Sequence, residues 1–244
     1  MSSNIHDFLI MIPTYCEEKN LPILIPRILE QINNIDLLVI DDNSPDQTEI
    51  IIRNLQKKFS NLYYIKRNSK MGVASAYVEG YNWGLKKNYS FLGQMDADLS
   101  HRVRDLKVLM NKIEFEKNID LVIGSRWIDN GKTEGWALQR VLLSKIGNSY
   151  IRFMMNFETR DSTAGFRIYS RKILNKIPLL LLASKGFSFQ IEMLINVKKN
   201  RGRILEYPIT FRERQLGKSK ITGKIILEAL WYVTKSGLKR RLKI

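Results

Sequence analysis

The 244-residue chain has one cysteine, Cys16, so no disulfide can close within it, and a reducing compartment suits it. Its two histidines, His6 and His101, offer Cys16 no clear base, which argues against a thiol nucleophile. The longest apolar run, Ile177 to Ala183, contains Pro178 and falls far short of the roughly 20 residues that span a bilayer. The polar stretch Met1 to Asp7 runs straight into a strand pattern, so no signal peptide is expected. Neither Gly-x-Gly-x-x-Gly nor Gly-x-x-x-x-Gly-Lys-Ser/Thr occurs, which removes the two commonest phosphate cradles. Acidic residues are also scarce, 24 against 40 Lys and Arg, and the net charge of +16 implies an anionic partner: nucleic acid, phospholipid or a phosphorylated substrate. With 44% hydrophobic and 26% charged residues the chain is globular, and it is long enough to bury a core.

What is present is an alternation of strands and helices. Phe8 to Ile12 reads as a strand. Asn20 then caps a helix with Leu21, Leu24, Ile25 and Ile28 on one face. Strand Leu37 to Ile40 follows, and Ser44-Pro45 opens a helix through Phe59. Then come strand Leu62 to Ile65, a helix from Gly72 to about Lys87, the apolar strand before Asp96, a helix from about Arg104 to Lys117, and strand Asp120 to Ile123. This order predicts an α/β protein with a mostly parallel sheet and helices on both faces. The second half reads as helix Leu138 to Phe157, strand Gly165 to Tyr169, helix Phe189 to Lys199, strand Ile204 to Phe211, a basic loop Arg212 to Lys220, and a basic amphipathic helix over residues 221–244. No linker or repeat is visible, so residues 1–244 are expected to form one domain.

The most telling segment is Gln94-Met95-Asp96-Ala97-Asp98-Leu99-Ser100-His101. Two carboxylates at the end of a buried strand suit a hard divalent cation shared with a diphosphate. A helix cap and a turn would also use aspartates there. Three further clusters end predicted strands: Pro13-Thr14-Tyr15-Cys16-Glu17, Asp41-Asp42 and Gly124-Ser125-Arg126. In a parallel sheet all four share one edge, where ligands bind. Arg126, Arg140, Arg214 and Lys220 would clamp phosphate if the fold brings them there.

As an ordered set these motifs resemble family 2 glycosyltransferases of the GT-A fold. The second half, Trp136-x-x-x-Arg140, Asp161-x-Thr163-x-Gly165-Phe166-Arg167, Ser184-Lys185-Gly186-Phe187-x-Phe189-Gln190-x-Glu192-Met193 and Arg214-x-x-Gly217-x-Ser219-Lys220, is similar to dolichol-phosphate (polyprenol-phosphate) mannose synthases whose catalytic chain has no membrane spans. The likeness runs from about residue 8 to 235. It implies that Pro13, Tyr15, Glu17 and Asp42, with Asp41 beside it, hold the donor nucleoside. It implies that Asp96 and Asp98 bind Mg²⁺ or Mn²⁺ and, with Ala97 and Lys220, the donor diphosphate. It implies that Arg126, Arg140, Ser144 and Arg214 hold the acceptor phosphate, with Asp98, Arg126 and Arg214 as the catalytic residues. Cys16 stands where Asn is usual, Ser100 where some relatives carry a Gln ligand, and Arg102-Val103 where Pro follows the His.

The implied reaction moves mannose from GDP-mannose to a polyprenyl or dolichyl monophosphate with inversion. Relatives using UDP-glucose or other sugar nucleotides leave the donor open. A phosphate acceptor is already an anion and needs no general base. The apolar and basic residues of 138–157 and of 221–238 suit helices lying in a membrane interface, giving a peripheral protein on the cytoplasmic face, alone or with an anchoring subunit. Two other readings differ in what they require. A glycan acceptor would need a carboxylate base. Nucleic-acid binding, suggested by charge alone, leaves the acidic strand ends unexplained and is not expected.

Overall fold

The structure, a computed structural model, describes residues 6–182, 186–214 and 223–241. The first half alternates as its periodicity predicts: β1 (Phe8–Thr14), α1 (Leu21–Leu29), β2 (Asp36–Asp41), α2 (Thr48–Gln56), β3 (Leu62–Lys66), α3 (Val73–Lys86), β4 (Phe91–Gln94), α4 (Val103–Phe115) and β5 (Leu121–Ser125). Then come β6 (Lys132–Glu134), α5 (Leu138–Met155), β7 (Arg167–Ser170), a short α6 (Arg171–Leu174), a 3-10 turn Leu179–Leu181, α7 (Gly186–Lys199), β8 (Ile204–Pro208), β9 (Thr210–Arg212) and α8 (Gly223–Arg241).

Seven strands form one sheet in the order β3-β2-β1-β4-β7-β5-β8, and β7 runs antiparallel to both its neighbours. The expected strand from 204 to 211 is instead two: β8 pairs with β5, and β9 leaves to form a ribbon with β6. Successive residues of a strand face opposite sides, so β1 and β2 feed two cores at once. Leu9, Met11, Leu38 and Ile40 pack under α3 and belong to one core with buried side chains of α5, α7 and α8. Ile10, Ile12, Leu37 and Val39 pack under α1, α2 and α4. The α3 helix lies flush on the sheet because Gly84 faces it: a Cβ there would stand 2.5 Å from a Leu92 methyl and 2.8 Å from a Leu9 methyl.

Two expected caps are otherwise employed. The Asn20 side chain makes no capping bond and donates instead to Glu17 Oε2 at 2.6 Å. The second helix opens at Thr48 rather than Ser44-Pro45, since Ser44 bonds to the end of β2. Local preference yields here to a side chain with a partner across the sheet edge. The α8 helix lies along α5, with the Tyr150 and Thr234 hydroxyls 2.6 Å apart. Between them these helices leave Leu142, Ile146, Phe153 and Trp231 exposed.

Candidate active site

The registers put the predicted clusters on one edge. Thr14 lies opposite Asp41, Met11 opposite Gln94, and Gln94 opposite Arg167, which in turn pairs with Ile123 near the end of β5. On the β1–β2 side, Asp41 is a buttress. Its carboxylate accepts from Thr14 Oγ1 at 2.9 Å, Ser44 N at 2.8 Å and Ser44 Oγ at 2.6 Å. Ser44 Oγ accepts in turn from Cys16 N at 2.9 Å. Asp42 accepts from Arg67 Nη1 at 2.7 Å, Met71 N at 2.9 Å and Gly72 N at 2.7 Å, which ties the start of α3 to the end of β2. Gly72 has φ +90°, a conformation that favours glycine. Glu17 is buried and accepts from Asn20, its own N–H donating to Thr48 Oγ1 at 3.1 Å. The Tyr15 ring lies 3.6 Å beneath Lys70 Nζ. Pro13 is half-buried between these turns.

At the end of β4, Asp96 and Asp98 flank the buried Ala97. Desolvation first, and the Asp98 charge second, push the Asp96 carboxyl up to about 7, although its side chain keeps a 42% opening to solvent. The two carboxylates repel one another, and a bound cation relieves that repulsion. Asp98 is aimed by Ser100 N at 3.2 Å and by Arg214 Nη2 at 2.7 Å. Burial drives the His101 imidazole down to about 4, so it is neutral. Its Nδ1 accepts from Asp96 N at 3.2 Å, and the ring stacks on Phe166 at 4.4 Å. Leu99 between them has φ 63°, strain that a side chain tolerates only where its surroundings hold it.

These donors fit a divalent ion of the Mg²⁺ or Mn²⁺ kind, which takes one or two carboxylates and fills its remaining positions with water and substrate phosphate. Among the described residues no group of three or more His, Cys, Asp or Glu gathers to cage an ion, so the diphosphate would complete the shell. Ser100 is buried with its Oγ unpartnered among the described residues.

The arginines do gather. Arg126 and Arg214 both act on the Asp96 charge, and Arg140 feels both of them. Desolvation and these two positive neighbours hold Arg140 below its usual value. Arg140 donates to Glu213 Oε1 at 3.0 Å and lies 3.8 Å over the Trp136 ring. Arg126 is fixed as a two-pronged fork on Asp161, with Nε and Nη2 each at 2.7 Å from a carboxylate oxygen, and a further bond from Nη2 to Thr163 Oγ1 at 3.1 Å. Ser144 lies one turn from both Arg140 and Asn148 on α5. Asn148 Nδ2 donates to Thr163 Oγ1 at 3.1 Å, so this face of α5 turns toward the Arg126 network. Lys220 lies outside the described residues, as do Lys185 and Gly217 of the quoted motifs.

Sequence reasoning assigned no role to Asp161 or Arg67. Both hold named site residues, and Arg67 follows β3 at the same sheet edge, so the strand-end rule applied to β3 finds it. Nor did it explain Arg167, which is wholly buried and donates to the carbonyls of Ala164 and Ser162 at 2.7 Å and of Gln190 at 2.9 Å.

Residues 9–178 match the family model described as Glycosyl transferase family 2. The chain is 40% identical over 235 residues to a protein of Mycolicibacterium smegmatis named polyprenol monophosphomannose synthase, covering 96% of this chain and 88% of that one. It is 39% identical to an undecaprenyl-phosphate mannosyltransferase of Micrococcus luteus, covering 96% and 95%. In fold it is similar to glucosyl-3-phosphoglycerate synthase of Mycobacterium tuberculosis. The crystal structure with uridine diphosphate matches at TM-score 0.70 and 16% identity over 95% of this chain and 80% of that one. The complex that also holds Mn²⁺ and glucosyl-3-phosphoglycerate matches at TM-score 0.69 and 17% identity, covering 98% and 81%.

Proposed function

The chain belongs to glycosyl transferase family 2, and from that premise we propose that it transfers mannose from GDP-mannose to the phosphate of a polyprenyl or dolichyl monophosphate. The observation that carries this reading is the gathering of Arg126, Arg140 and Arg214 around the Asp96–Asp98 carboxylates. That arrangement handles two phosphate groups, one leaving and one attacking.

The acceptor brings its own negative charge, since a phosphate monoester has a second pKa of about 6. No residue has to take a proton from it. The work is to hold two repelling anions in line and to receive the charge of the departing diphosphate. Arg126, immobile on Asp161, and Arg140 present donors to the acceptor phosphate, with Ser144 beside them. Arg214 neutralises Asp98 and is placed to share itself between that carboxylate and a phosphate. Pro13, Tyr15, Glu17 and Asp42 hold the nucleoside, Asp41 keeping their turns in place, and Ala97 lies along the diphosphate, to which the family resemblance also assigns Lys220. Asp96 and Asp98 would hold a divalent ion, which would supply Lewis-acid neutralisation of the leaving group. A single displacement inverts the anomeric centre. We read the whole chain as one glycosyltransferase domain that works peripherally on a membrane, where its lipid acceptor resides, with α5 and α8 lying in the interface; an anchoring subunit is compatible with this.

The test is a transfer assay with a short polyprenyl phosphate, offered GDP-mannose, UDP-glucose and UDP-N-acetylglucosamine in parallel with Mg²⁺, Mn²⁺ or EDTA, and read by mass spectrometry. A mannosyl-phospholipid of inverted configuration, lost with EDTA and with Asp98→Asn, is expected. A product from a UDP-sugar alone overturns the donor assignment, and no product from any donor overturns the acceptor.

A further inference from the structure

An aromatic wall runs away from the paired carboxylates. His101 meets the Phe211 ring edge-on at 5.2 Å, Phe211 meets Trp136 at 5.4 Å, and Trp136 meets Trp127 at 6.4 Å. Three separate elements build it: Trp127 follows β5, Trp136 precedes α5, and Phe211 lies in β9. Cations line it throughout. Arg126 lies 5.4 Å from the centre of Trp127 and 5.5 Å from those of Trp136 and Phe211. Arg140 covers Trp136, and Lys145 lies 5.4 Å over Trp127. Both indole N–H groups are buried and, among the described residues, meet no acceptor. Just after Trp136, α5 begins at Leu138, and Leu138 and Leu142, one turn apart on it, are both exposed.

Each feature alone has a plain structural meaning, since aromatic rings commonly carry guanidinium groups. Together they combine hydrocarbon-binding surface, unspent hydrogen-bond donors and positive charge in one strip. That combination matches a ligand whose anionic head is joined directly to a hydrocarbon chain. A hydrophilic phosphate monoester would use the arginines and leave the rings and the leucines idle.

We infer that Trp127, Trp136 and Phe211 form the subsite for the isoprene unit nearest the acceptor phosphate, and that this wall makes the enzyme select a prenyl phosphate over other phosphate monoesters. The inference rests on the acceptor class proposed above and extends it to specificity-determining residues. The indoles pack on the first unit, while Arg126 and Arg140 hold the phosphate. The chain then passes over Leu138 and Leu142 toward the lipid surface.

The experiment is calorimetric titration of the full-length protein with farnesyl phosphate and, separately, glycerol 3-phosphate, which has the phosphate without the prenyl chain. Wild type, Trp127→Ala and the conservative Trp136→Phe are compared, with thermal melting of each as a check on folding. Wild type is expected to prefer farnesyl phosphate. Trp127→Ala should weaken farnesyl phosphate at least about tenfold and leave glycerol 3-phosphate and GDP-mannose within about twofold. Trp136→Phe should give a smaller loss of the same selectivity, and it tests the wall if Trp127→Ala fails to fold. Equal losses for both phosphates would overturn the inference, because the rings would then only support the arginines. A wild-type protein without preference for farnesyl phosphate would overturn it as well. If the variants behave as expected yet no donor yields a glycosylated lipid, the proposed transfer fails and the subsite stands.

Discussion

A buried ion pair is costly to assemble and costlier to halve, and the Arg126–Asp161 pair shows why the distinction matters. The Asp161 side chain is wholly buried and the Arg126 side chain 9% exposed, so neither charge can turn to water if the other is removed. Asp161→Asn should therefore lower the unfolding free energy by roughly 3–5 kcal/mol, read as an earlier urea midpoint with an unchanged slope, and should abolish transfer. Arg53 and Glu49 make a similarly short pair on the surface of α2, and there Arg53→Ala should barely move the urea midpoint. Equal effects of the two substitutions would contradict this account. The contrast also marks what could be read from the residues. Asp96, Asp98 and Arg126 announce themselves by standing at strand ends. That Arg126 is held rigid by a carboxylate 35 residues later in the chain is not encoded in any local pattern.

Elements were legible where periodicity decides them and obscure where only tertiary pairing does. The apolar runs of β1 and β2 and the amphipathic faces of α1 and α4 follow from spacing. The antiparallel insertion of β7 between β4 and β5, and the departure of β9 from β8, have no signature in a run of apolar residues. Helix α3 illustrates the same limit. Its Gly84 reads as a weak point for a helix, yet the sheet requires it, because a side chain would collide with Leu9 and Leu92. Gly84→Leu should destabilise the protein by about 1–3 kcal/mol or more through overpacking, although leucine is the better helix former. A stabilised variant in thermal melting would show that α3 does not sit as close as described. Where α3 ends, the Tyr89 hydroxyl donates to Asp36 Oδ2 at 2.5 Å, at the start of β2. Burial nevertheless raises the Asp36 carboxyl above 3.8, against the pull of Tyr89 and His6. A raised folded value means that folding takes up a proton between the unfolded and folded pKa values. The ionised group costs stability above that window, and the cost fades as pH falls through the folded value toward 3.8. Wild type should thus gain stability relative to Asp36→Asn as the pH of denaturant melts is lowered through that window, and a difference independent of pH refutes the assignment.

At the scale of the whole molecule, a net charge of +16 and a set of exposed apolar side chains on α5 and α8 point to the same kind of surface. No helix among the described residues is long and apolar enough to cross a membrane, and the contact proposed above is a lateral one made by α5 and α8. Charge and apolar contact make separable contributions. Basic residues near an anionic surface contribute about 1 kcal/mol each and are screened as the Debye length shortens from about 10 Å at 0.1 M salt to about 3 Å at 1 M. Apolar burial, at about 25 cal/mol per Å², does not weaken with salt. The protein should float with vesicles containing anionic phospholipid at low salt and remain partly bound at high salt. Leu142→Ser combined with Phe153→Ser should remove the part that survives salt. Both side chains are more than half exposed, so the folded state loses little by the change. Complete release by salt in the wild type would leave charge as the sole attraction and sink the interfacial placement of α5. Flotation of the double variant equal to wild type at high salt would move the contact to another face of the molecule.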